Sequence, residues 1–378
     1  MYFYIGLFGI TTVAAFCELL NIKKAKKLYI FIALLLIYIL FSATRWNNPD
    51  WDVYYPFFMK NNELDDFLYG TIPVDKGFGI LNYLVKILFD DFTALLSILA
   101  IIIITIKGWF IKKYSSLPLL SVLLWFGTYI GDMFCNRQTL AISITLLAFY
   151  FIIKKQIIPF VLVVIIAASI QVSVIAFILA YPIYHSKLSG KCLIAGVFLS
   201  VIIGAYLDNS YLIQIASMVN LIDVDTERLL LKIDTYVQET ADPNSIFSYA
   251  RRLLFIPLEI YMISKMEVVD KNYRGCVNLI VCGYMMYFLL INVSNTFATR
   301  ISSSFYIYEI LVLPNIIGYY KRLDVRILCF ILLGVYACVK YVYAIELYQE
   351  AYIPYTKVPS RIMRKNVYKL RLNEVSRQ

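Results

Sequence analysis

The chain has 378 residues, 61% of them hydrophobic and only 16% charged, with a mean hydropathy of +0.73. A soluble domain carries roughly 25% charged residues, and apolar runs near the ~20 residues that cross a bilayer recur here, so a soluble enzyme is excluded and an all-α, polytopic integral membrane bundle is implied. The net charge of +10 does not point to nucleic acid, because most Lys and Arg sit in short segments between apolar runs, where they set orientation.

The apolar runs are 2–21, 28–44, 92–111, 117–134, 137–153, 157–184, 192–207, 252–266, 276–294, 303–320 and 327–345. The first has no basic leader and no small-residue cleavage site, so it is expected to be a retained helix and not a signal peptide. Lys23, Lys24, Lys26 and Lys27 follow it and put that side in the cytoplasm. With alternating crossings, Lys112-Lys113, Lys154-Lys155, Lys187 with Lys191, Lys271 with Arg274, and Lys321-Arg322 fall on the same side. The pattern predicts about ten crossings in one bundle over 1–378, with no separable soluble domain.

The run 157–184 has basic flanks at both ends. It fits a re-entrant pair of half-helices meeting near Ser169–Ser173, with Gln171 at the tip inside the bundle. A single long tilted helix that breaks the charge pattern is the alternative. Two long extracytoplasmic loops are expected, at 45–91 and 208–250. The first contains RWNNPDWDVYYPFF, an acidic patch (Glu63, Asp65, Asp66), and a segment with Phe78, Leu81, Leu84, Val85 and Leu88 at helical spacing that should lie along the membrane surface. The second reads as a short helix and a lid. The tail 346–378 is basic, yet the crossing count puts it outside, against the charge pattern.

Charges inside apolar tracts carry the functional signal, because they are expensive there. The tract 117–153 has two, Asp132 and Arg137, near a turn at Gly131–Asn136 that places Arg137 and Gln138 at the outer mouth of the bundle. Arg45 and Arg300 have a similar setting at helix ends. Arg137 and Arg300 could be buried ion pairs, with Asp132 and Glu309 for example, or a clamp for a diphosphate, since the guanidinium fork suits phosphate oxygens and stays charged. Arg45, Asp50 and Asp52, interleaved with Trp46, Trp51, Tyr54 and Tyr55, read either as an interfacial aromatic belt or as a sugar site. In the second case rings stack on sugar faces, and a carboxylate serves as general base. Gln138 and Gln171 could tie helices together or touch substrate, and Tyr306 joins Tyr54 and Tyr55 as a tyrosine of interest.

Other chemistries find no support. Seven scattered cysteines form no C-x-x-C pair, and the single histidine, His185, sits at a helix end, so no metal centre and no cofactor are expected. No phosphate-binding loop, dinucleotide fingerprint or nucleophile elbow occurs, and no cytoplasmic loop could hold a nucleotide fold. A lipid-linked donor reached from the bilayer fits better than a sugar nucleotide.

Short elements in order then carry a family likeness: Arg45 with Asp50-Trp51 and Tyr54-Tyr55; Asp75-Lys76-Gly77-Phe78 with Leu81-Asn82; Arg137-Gln138 before Leu140-Ala141; AASIQVSVIAFILAYPIY; Arg300 ahead of Tyr306 and Tyr308; and Ile353-Pro354-Tyr355. On these the chain resembles the EpsG family of Wzy-type bacterial polysaccharide polymerases along most of its length. It departs where Gln171 stands for a usual His and Asp75 for a usual Glu, and Asp50 and Asp52 compete for one role. The resemblance implies a GT-C-like glycosyltransferase of the bacterial cytoplasmic membrane with an extracytoplasmic active site. It would join oligosaccharide repeat units carried on undecaprenyl diphosphate, in O-antigen, capsule or exopolysaccharide synthesis. A flippase and a chain-length regulator would be its protein partners. On this reading Arg137 and Arg300, supported by Arg45, stabilise the leaving diphosphate, and Asp50 or Asp52 takes the acceptor proton. Trp51, Tyr54, Tyr55, Asp75, Gln138, Gln171 and Tyr306 bind substrate. An O-antigen ligase, another lipid-donor transferase, a lipid-linked oligosaccharide flippase and an acyltransferase are the rival readings.

Overall fold

A computed structural model describes residues 2–20, 23–45, 51–69, 74–134, 136–207, 246–347 and 349–352. Asp50, most of the expected lid and nearly all of the basic tail lie outside the described residues, as do the side chains of Trp51 and Asp52. The described residues are helical and contain no strand. A backbone in lipid must satisfy its own hydrogen bonds, and helices do so within one segment.

The chain opens with α1 (Tyr2–Leu19) and α2 (Lys24–Thr44), followed by three short helices, α3 (Trp51–Lys60), α4 (Leu64–Tyr69) and α5 (Lys76–Phe89). Next come α6 (Phe92–Tyr114), α7 (Pro118–Thr128), a 3-10 turn at Ile130–Phe134, and α8 (Arg137–Ile153). Asp91 caps α6 by accepting from the Thr93 amide at 2.8 Å, and Asn136 caps α8 by accepting from Thr139 at 2.9 Å. The acidic patch is partly structural: Asp66 accepts from the backbone amides of Asn62 and Glu63 at 3.3 and 3.2 Å.

The run 157–184 folds as α9 (Ile157–Ile170), an extended residue Gln171, a 3-10 stretch Val172–Leu179, and α10 (Ala180–His185). The chain reverses at Gln171. Phe160 of the first arm packs on Tyr181 of the second, with ring centroids 5.5 Å apart. His185 donates from Nε2 to the Ile152 carbonyl at 3.1 Å, back at the end where α8 finishes. Gln171 is buried and donates to Ser173 at 3.4 Å.

After α11 (Gly190–Tyr206), the apolar run 252–266 is not one helix. It divides among α12 (Ile246–Leu253), α13 (Ile256–Tyr261) and α14 (Ile263–Met266). Pro257 near the start of α13 gives a reason: it has no amide hydrogen and forces a fresh N-terminus. Then come α15 (Tyr273–Leu290), α16 (Asn295–Tyr306), α17 (Glu309–Tyr319), α18 (Leu323–Leu347) and α19 (Gln349–Tyr352). The run expected from 303 begins eight residues earlier, because Ser294 caps α16 by accepting from Phe297 at 3.2 Å. Arg300 is therefore inside a helix and not at its end. Serine hydroxyls suit this polar helix to the interior: Ser302 bonds back to the Ala298 carbonyl at 2.6 Å.

Among the described residues six helical spans are long and apolar enough to cross a membrane: α1, α2, α6, α15, α16 joined to α17, and α18. Shorter apolar helices, α7 to α11, fill the rest of the bundle. Leu119 to Gly127 of α7 are all buried, as are most of α15 and α17, so these helices form the centre. The outer faces of α2, α9, α11 and α18 expose Leu40, Leu162, Phe198 and Leu332, as a bilayer requires. Glu18 of α1 is buried and accepts from the Leu119 and Leu120 amides at 2.9 and 3.1 Å, capping α7.

The first-loop helix α5 packs one face against the rest of the bundle and leaves the other exposed. Its buried face is Phe78, Asn82 and Val85, while Leu84 and Leu88 point outward. Gly77 makes this possible, since a Cβ there would come within 2.8 Å of the Ser169 carbonyl at the hairpin tip. Gly77→Ala is therefore expected to displace α5 from the tip and to cost about 1–3 kcal/mol, read as a lower melting midpoint in detergent. An unchanged midpoint would mean that α5 is free to ride over the hairpin.

Candidate active site

The bundle holds a half-open cavity of about 580 Å³, within the usual range for a small-ligand site. Its walls come from the α7–α8 turn, α12, α15, α16, α17 and α18. One wall is a single helical stripe: Asn295, Thr296, Thr299, Arg300, Ser303, Tyr306 and Glu309 recur every three or four residues down α16 into α17. The facing wall repeats the device with Tyr336, Lys340, Ala344 and Leu347 of α18.

The charge is lopsided. Arg251, Arg252, Arg300 and Lys340 line the cavity, against two carboxylates, Asp132 and Glu309. Asp132 is already satisfied from behind by an ion pair with Lys107 of α6, and the Trp125 indole donates to the same oxygen at 2.7 Å. Arg252 sits over the Tyr287 ring, its Cζ 3.5 Å from the centroid, with Arg251 next to it in the chain. Burial first, then the charge of Arg252, holds the Arg251 guanidinium below its ordinary pKa, which is a cost that an anion would relieve. The capped N-termini of α8 and α16 also end on this cavity, through Asn136, Gln138 and Asn295, so both helix dipoles present their positive ends to it.

Of the residues expected from sequence, Arg300, Gln138 and Tyr306 line the cavity. Gln138 donates to Ser303 at 3.1 Å, tying α8 to α16. Tyr306 stacks on Tyr284 with centroids 5.2 Å apart. Arg137 stands between two lining residues, but its own side chain turns to the first loop. It pairs with Asp75 at 3.3 Å and donates from Nε to the Tyr54 hydroxyl at 3.1 Å. Neither expected pairing occurs: Asp132 belongs to Lys107, and no ion pair joins Arg300 to Glu309. Tyr55 is buried edge-on against Phe92, away from the lining. Arg45 is buried over the Phe134 ring at 3.4 Å, with Tyr352 at 5.0 Å. Those two rings line the cavity, so Arg45 stands behind its wall. Gln171 is at the hairpin tip and outside the lining.

Arg251, Arg252 and Lys340 have no counterpart in the sequence reading. A signal existed for Lys340, a lone cation inside the apolar run 327–345, and the polar stripe of α16 was visible at helical spacing. The adjacent pair Arg251-Arg252 reads from sequence as an ordinary helix flank.

No curated protein and no solved structure matches the chain. The model of the EpsG family matches residues 4–357, nearly the whole length. The chain therefore belongs to the EpsG family, whose members are Wzy-like polysaccharide polymerases.

Proposed function

We propose that the protein lengthens a surface polysaccharide by moving a chain from undecaprenyl diphosphate to the free end of another lipid-linked repeat unit. The observation that carries this reading is the cavity itself: three arginines, a lysine and two helix N-termini around one space of substrate size. In the transfer an acceptor hydroxyl attacks the donor anomeric carbon. The bond from that carbon to the phosphate oxygen breaks, and the diphosphate departs with the electron pair. Arg300, Arg251, Arg252 and Lys340 hold the charge that builds there, in a site partly shielded from bulk water, where such contacts are stronger. Gln138 and Tyr306 contact the sugars. The acceptor proton goes to a carboxylate, which is Asp50 or Asp52 on the first-loop reading, with Trp51 and Tyr55 nearby in the sequence.

Sidedness supports the same reading. Lys154 ends α8 and the cavity adjoins the N-terminus of that helix, so the cavity lies at the end away from the lysine pairs. The positive-inside pattern supports an extracytoplasmic site, as a GT-C-like enzyme of the cytoplasmic membrane would have it. Gln171 holds the hairpin tip, and Arg45 sets the Phe134 and Tyr352 wall.

The test is reconstitution into liposomes with the host's own lipid-linked unit, accumulated in a strain lacking the protein. A ladder of products rising by one repeat supports polymerisation. Transfer only to a glycan acceptor that carries no lipid diphosphate would support a ligase instead. In the same assay Arg137→Ala and Asp75→Asn should each lower elongation about tenfold, and the double variant should be no worse than either, because the two groups act as one unit. Additive losses would separate their roles.

A further inference from the structure

The polar stripe of α16 ends on Glu309, nine residues on from Arg300 in the chain. The helix breaks there: α16 stops at Tyr306 and α17 starts at Glu309, whose side chain lines the cavity. It is 8% exposed, and that small exposure is to the cavity. Tyr284 donates to Oε1 at 2.6 Å and fixes the carboxylate plane. Oε2 has no hydrogen-bond partner among the described residues, although it is not sealed from the cavity. Arg251, Arg252 and Lys340 line the same space, and Tyr336 of α18 lies one turn from Lys340. The other carboxylate of the lining, Asp132, accepts from both Lys107 and Trp125 and has its charge balanced.

This is the constellation a base-assisted transfer to a diphosphate leaving group needs: an oriented carboxylate oxygen beside cations that take the departing charge. We infer that Glu309 is the general base of the transfer, in place of the first-loop aspartates, an inference that rests on the polymerase reading. As the acceptor oxygen bonds to the anomeric carbon, its proton passes to Glu309 Oε2. The glycosyl–phosphate bond breaks with its electron pair going to the diphosphate. The proton then leaves Glu309 for the released lipid diphosphate, and the carboxylate is restored. Tyr284 is a positioning residue, acting only through the carboxylate it holds.

The experiment compares wild type, Glu309→Gln, Glu309→Asp, Tyr284→Phe and the pair Asp50→Asn, Asp52→Asn in liposomes with the host's lipid-linked unit. Glutamine keeps the shape and still accepts from Tyr284 but cannot take a proton. Glu309→Gln should lower kcat about 100-fold or more with KM for the unit unchanged, the usual scale for a lost general base. Glu309→Asp should recover part of the loss, and Tyr284→Phe should lower kcat about tenfold. A Glu309→Gln protein with kcat within threefold of wild type overturns the inference, as does a loss confined to the Asp50, Asp52 variant. If Glu309→Gln is not recovered folded, an unchanged kcat in Tyr284→Phe overturns it. A wild-type protein that builds no ladder overturns the polymerase reading, and this inference with it.

Discussion

Membranes carrying Arg300→Ala are expected to accumulate single lipid-linked units and to contain no long polymer. Arg300 is the residue that the sequence and the cavity both select, and it sits on α16 with its helix N-terminus capped and aimed at the same space. Removing one preorganised donor to a developing oxyanion lowers rates by about 10²–10³-fold, or roughly 2.7–4 kcal/mol of barrier. Arg300→Lys should recover only a small part, since an ammonium keeps the charge and loses the fork that meets two phosphate oxygens. Protein abundance should not change, because α16 keeps its cap and its serine back-bonds. Ladder length on a gel of lipid-released glycans reads the result, and a wild-type ladder in Arg300→Ala would remove this arginine from the chemistry.

Asp132→Ala should unfold the protein more readily than any other single change considered. Lys107 is fully buried in the middle of α6, and Asp132 is its ion-pair partner. Deleting one partner leaves an uncompensated charge in the bundle, a loss of about 3–5 kcal/mol. The Trp125 indole loses its acceptor in the same stroke. The double change Lys107→Met, Asp132→Leu should return most of the stability, because well-packed apolar side chains often match a buried pair. The measurement is the temperature at which detergent-solubilised protein loses its monodisperse peak. If the single and double variants melt together, the pair is not coupled. The same cycle separates stability from activity, since Asp132 also borders the cavity and Lys107 does not.

Much of the fold was legible in hydropathy, because lipid punishes any unpaired backbone polar group wherever it occurs. The break at Gln171 was also legible, from basic flanks at both ends of one apolar run. The division of 252–266 was less so, because an apolar composition hides a proline's local veto. The site divides in the same way. Arg300, Gln138 and Tyr306 could be chosen from their setting, since a polar residue in an apolar tract is costly in any fold. The partners of Asp132, Arg137 and Arg45 could not. Lys107 is 25 residues from Asp132 in sequence, and Asp75 is 62 residues from Arg137.

Membrane class, the all-helical character and the candidate charges follow from local properties: the free energy of moving each side chain into lipid and the period of the helix. Which charges neutralise one another and which share an open space is decided by helix packing, since Coulomb attraction acts between neighbours in space regardless of chain separation. That is why Arg137 turns to Asp75, Arg45 stands behind a ring, and Arg251, Arg252, Lys340 and Glu309 join Arg300 around one cavity.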